Sequence, residues 1–109
     1  MIEPAVSRKI GLAAFETLAY DPSQWQNAYW AKEKGLFTKV FDTLPELDKE
    51  TQLFAEKLSS YHPEAVQQMK KTLWKGTTHW EELLIERAEI SGELVLSEFT
   101  KSALQKFKK

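Results

Sequence analysis

In the first half of this chain a helical pattern runs out at a glycine and a short apolar segment follows. The run is Ala31-Lys32-Glu33-Lys34-Gly35-Leu36-Phe37-Thr38-Lys39-Val40-Phe41-Asp42. A helix runs into Gly35, the residue type that takes a left-handed cap without a Cβ penalty. Leu36, Val40 and Phe41 then leave it as a short apolar strand that ends at an acidic turn. With 109 residues available, an arrangement of short helices around one small strand is the expected architecture, and the fold class is mostly α.

The same local grammar divides the rest. Pro4 suits a first helical turn, and Val6, Ile10, Ala13, Ala14 and Leu18 follow at helical spacing. Tyr20-Asp21-Pro22-Ser23 ends that helix, because a residue before proline avoids the helical region. Ser23-Gln24-Trp25-Gln26 has the capping-box pattern, with Asp21 and Pro22 as a competing start. Thr43-Leu44-Pro45-Glu46 is a second box, opening a helix through Leu47, Phe54 and Leu58. His62-Pro63-Glu64 starts the next, with Val66, Met69 and Leu73 on one face and Gly76 at its end. Thr78-His79-Trp80-Glu81 caps the last long stretch, and Ser97-Glu98 is its natural restart point.

Chemistry is hard to find among these residues. There is no cysteine, which removes disulfides, thiolate metal sites and cysteine nucleophiles. His62 and His79 each stand beside a helix start, where an imidazole serves as a cap or a solvated group, and no histidine pair has metal-ligand spacing. No serine lies in a Gly-x-Ser-x-Gly elbow, and the four glycines are isolated, so there is no phosphate loop. Glu81, Glu82, Glu86 and Glu89 read as a solvated helix face beside Arg87. The chain alone is expected to be catalytically inactive.

A net charge of −1 implies no general affinity for nucleic acid or anionic membranes. Met1-Ile2-Glu3-Pro4 carries no charged region ahead of an apolar core. No apolar run approaches the ~18 residues of a membrane span. The expected location is the cytoplasm.

Two features invite a functional reading. Lys101, Lys106, Lys108 and Lys109 surround Phe107: either a solvated helix end with Phe107 in the core, or an aromatic face and ammonium groups offered to a nucleotide. The second is the aromatic load, four tryptophans among thirteen aromatics. Trp25 and Tyr29 share one helical face while Trp30 points about a quarter-turn away, and one small helix cannot bury both sides. Surplus aromatic surface of this kind marks a partner.

Several of these segments, in this order, resemble the enoyl-CoA hydratases and isomerases of the crotonase superfamily. Ile10-Gly11-Leu12-Ala13-Ala14-Phe15-Glu16-Thr17-Leu18 looks like a helix of that family, and Ala31 to Asp42 resembles its "A-x-x-x-G-L-(V/F)-x-x-V" segment. Pro63-Glu64-Ala65-Val66 with Met69-Lys70-Lys71 is similar to "N-P-x-A-(V/M)-x-x-x-K", with His62 in place of asparagine. Glu86-Arg87-Ala88 through Ser97-Glu98, Lys101 and Phe107 resembles the terminal pattern, with Phe99 in place of an acidic residue and Ser102-Ala103 in place of Glu-Gly.

The resemblance implies the C-terminal helical region of a crotonase-like, spiral ββα fold. Residues 1–42 would be the last turn of its core and 43–109 a helical oligomerisation region. It further implies self-association, as trimers in the family, and closure over an acyl-CoA thioester, the substrate of the parent fold in fatty acid metabolism. Catalytic carboxylates and the oxyanion hole would belong to upstream residues, and no cofactor would be held covalently. Phe107 would lie against the coenzyme A adenine of an adjacent subunit. The alternative expectations are a stand-alone helical interaction module and an inactive acyl-CoA-binding paralogue.

Overall fold

The computed structural model describes residues 2–108. They form seven α-helices: α1 (Glu3–Ile10), α2 (Leu12–Tyr20), α3 (Ala28–Glu33), α4 (Leu44–Ser59), α5 (Pro63–Leu73), α6 (Trp80–Val95) and α7 (Glu98–Phe107). The helices fall into two units, Ile2–Lys75 and a second that begins at Gly76. The expected boundary after Asp42 lies inside the first unit.

The mostly helical class is observed, but the strand at Leu36–Phe41 is not. No strand exists among the described residues. A strand needs a neighbouring strand to take its backbone groups, and here those groups are used otherwise. The N–H groups of Leu36 and Phe37 both donate to the Ala31 carbonyl, at 2.8 and 3.2 Å, and Lys9 Nζ donates to the Leu36 carbonyl at 3.3 Å. Gly35 N–H donates to Lys32 O at 3.1 Å. Together with the Leu36 bond this is a Schellman closure of α3, and it needs the positive φ of +89° that Gly35 supplies.

Two helix starts in the first unit differ from expectation. The single helix from Pro4 to Leu18 is broken at Gly11, whose φ of +81° and ψ of 162° turn the chain between α1 and α2. The helical period of the side chains continues across this break, which is why the pattern reads as one helix. The Ser23 box does not form, because no helix begins there: residues 22–24 make a turn in which Gln24 N–H donates to Asp21 O at 3.1 Å and the Ser23 hydroxyl donates to Asp21 Oδ1 at 2.7 Å. Asn27 caps α3 instead, its Oδ1 accepting from Trp30 N–H at 2.9 Å. Trp25 therefore lies outside the helix, and the expected Trp25–Tyr29 face is not a helical face.

The Thr43 box forms as expected: Thr43 Oγ1 accepts from Glu46 N–H at 3.4 Å and Glu46 Oε2 accepts from Thr43 N–H at 3.3 Å. His62 caps α5 through Nδ1, which accepts from Ala65 N–H at 3.4 Å. The Thr78 box is absent. His79 flanks α6 without a side-chain cap bond, and the Trp80 N–H donates to Thr77 O at 3.0 Å. Ser97 does restart the chain, its Oγ accepting from Thr100 N–H at 3.3 Å.

In the first unit, α1 reaches the far end of α5. Arg8 Nη2 donates to the carbonyls of Leu73 and Lys75, each at 2.8 Å, supplying donors to C-terminal carbonyls that no helical N–H can reach. Apolar burial is slight. Among the described residues Ala31 and Pro4 are buried, and Val6, Ile10, Ala14 and Leu18 are half-buried. The helical faces that carry the sequence periodicity, Leu47–Phe54–Leu58 on α4 and Val66–Met69–Leu73 on α5, are all exposed.

Candidate functional site

The lysine-rich end is built on α7. Ser97 closes its first turn, Glu98 places a carboxylate near the positive end of the helix, and Lys101 Nζ meets Glu98 Oε1 at 2.7 Å one turn on. Both partners are exposed, so this pair is worth little. Phe107 occupies the last helical position and is 87% exposed. It is therefore not a core residue of its unit. Phe99, at 86% exposure, lies two turns earlier at the i−8 position, with Ala103 between them. The two rings and Ala103 share one face, and Lys106 and Lys108 flank Phe107 on the same exposed end. An aromatic plane with two ammonium groups beside it can stack a base and meet a phosphate. Lys109 lies outside the described residues.

In the first unit, the loop after α3 is walled by aromatic side chains. Leu18, Pro22, Trp25, Trp30, Leu36 and Phe37 line an open hollow of about 390 Å³, with Trp25 itself 93% exposed. A neighbouring hollow of about 360 Å³ runs from Leu36 and Phe37 to Phe41 and Phe54. At the edge of this region Tyr29 Oη donates to Asp42 Oδ1 at 3.1 Å. That bond, with the negative charge of the carboxylate and a little burial, raises the Tyr29 pKa above the ordinary tyrosine value. The tyrosine keeps its proton and anchors the loop to α3.

These surfaces can bind. His62 has its Nδ1 engaged as a cap, His79 is exposed at the start of α6, and no group of three metal-ligating residues comes together. Glu81, Glu82, Glu86 and Glu89 are all exposed on α6. No helix among the described residues is long and apolar enough to cross a membrane.

Sequence reasoning missed Arg8, Asn27 and the Tyr29–Asp42 bond. Asn27 carries a readable signal, an Asn directly before a helical run. Arg8 carries none, because its acceptors lie 65 and 67 residues away. Set against protein-family models, curated proteins and solved structures, the chain matches none of them.

Proposed function

We propose that this chain is an association region, the C-terminal helical part of an enoyl-CoA hydratase/isomerase-like protein. It brings subunits together and closes over an acyl-CoA held by the assembly. The observation that carries the reading is the exposure of whole helical faces that the sequence patterns as apolar. Phe54 is 59% exposed, Met69 60% and Leu73 66%. Exposed apolar patches of such extent belong to surfaces that another protein covers. The order of the segments Ile10–Leu18, Ala31–Asp42, Pro63–Lys71 and Glu86–Phe107 adds the family component, and with it trimeric self-association and a coenzyme A ligand at Phe107. In this reading the reacting groups come from outside the chain.

The test is the state of the isolated chain in solution. Light scattering after size exclusion should give a mass above one chain and rising with concentration. A sharp monomer peak with cooperative thermal unfolding would reject association. A partner of different sequence that restores cooperativity would point to the interaction-module alternative.

A further inference from the structure

Helix α6 carries a carboxylate–apolar–carboxylate pattern on one face. Glu86, Ile90 and Glu93 stand at i, i+4 and i+7, within about 60° of one another around the axis. Helix α7 and the residue that ends it carry the opposite pattern. Lys101, Leu104 and Lys108 stand at i, i+3 and i+7, again within about 60°. Laid antiparallel, the two faces match in register at every step: Glu93 meets Lys101, Ile90 meets Leu104, and Glu86 meets Lys108. Both spans are about 10.5 Å long at 1.5 Å per residue.

None of these matches is made within the chain. Ile90 is 46% and Leu104 53% exposed, all four charged residues are exposed, and Lys101 is held by Glu98 instead. The corner between the helices leaves them in slight contact. The Leu94 carbonyl accepts from Ser97 N–H at 3.2 Å, from Ser97 Oγ at 2.7 Å and from Thr100 Oγ1 at 2.8 Å. Ser97 Oγ in turn caps α7 through Thr100 N–H. Folding α7 back along its own α6 would disturb this set, whereas the α7 of another molecule can approach without touching it. A short, pinned hinge is the setting in which copies exchange an element.

We propose that α7 of one molecule docks antiparallel on α6 of a second copy, through Glu93–Lys101, Ile90–Leu104 and Glu86–Lys108. The inference rests on the association reading and names the surface that reading leaves open. Phe107 lies about a quarter-turn from this face, so docking leaves its ring accessible.

The chain has no cysteine, so introduced thiols report cleanly. Full-length chains carrying Ile90→Cys and Leu104→Cys singly are mixed and mildly oxidised. The expected product is the disulfide-linked pair of one with the other, in excess over like-with-like pairs. Glu93→Lys should weaken association by up to about fivefold, and more at low salt. Lys101→Glu in the partner copy should restore it. If the mixed chains give no such excess, if a chain carrying both thiols closes only on itself, or if charge reversal changes nothing, the proposal is overturned. Association that persists without the cross-link also overturns it, while leaving the broader association reading intact.

Discussion

A ring that is 87% exposed at the end of a helix contributes little to the stability of its own unit, and this fixes what Phe107 can report. If the chain closes over coenzyme A as proposed, Phe107→Ala in that assembly should leave the melting temperature nearly unchanged and weaken coenzyme A binding. Loss of base stacking costs ~1–3 kcal/mol, which is roughly five- to a hundredfold in Kd. Titration calorimetry and a thermal melt on the same variant read the two quantities separately. Unchanged affinity would remove Phe107 from the site, and a large drop in melting temperature would return it to packing. The contrast with His62 is instructive. Both residues stand out in the sequence as aromatic groups at helix ends, but His62 Nδ1 is already engaged by a backbone N–H and Phe107 has no such engagement to explain its place.

Caps decide where the elements begin, and they are local enough to read from sequence. Thr43, His62 and Ser97 each find their acceptor role within three residues, so nothing distant can overrule them. Thr43→Ala removes one bond of a reciprocal pair: the Glu46 N–H loses its acceptor, while Glu46 Oε2 keeps the backbone N–H of residue 43. It should cost about 1 kcal/mol and fray the first turn of α4. Hydrogen exchange at Glu46 would show the loss, and unchanged protection would mean the box contributes nothing. The misread elements fail for the opposite reason. Ser23 has the right spacing for a box, but the backbone turns there, with Gln24 N–H on Asp21 O, and the helix waits for Asn27. Gly11 interrupts a helix whose apolar spacing carries on undisturbed, so periodicity alone hides the break. Leu36–Phe41 has strand composition, yet composition cannot supply a second strand. At the candidate site, the position of Phe107 on its helix was legible, and its exposure was not, because exposure depends on what fails to pack against it.

Across the molecule, sequence periodicity and burial point in different directions. The apolar faces are cut for packing, yet among the described residues Pro4 and Ala31 are buried while the large apolar side chains of α4 and α5 stay exposed. The difference is large enough to leave aromatic groups as witnesses of assembly. Trp25, 93% exposed on the rim of the 390 Å³ hollow, sits in water in the free chain. An indole in water emits at longer wavelength than one in an apolar setting. Ultraviolet-excited emission should therefore move toward the blue as concentration rises and apolar surface is covered. Trp25→Phe should mute the shift if the hollow is part of what is covered. Emission that holds its colour across dilution would place the hollow outside any contact. The chain thus carries its own optical gauge of assembly, readable without a label.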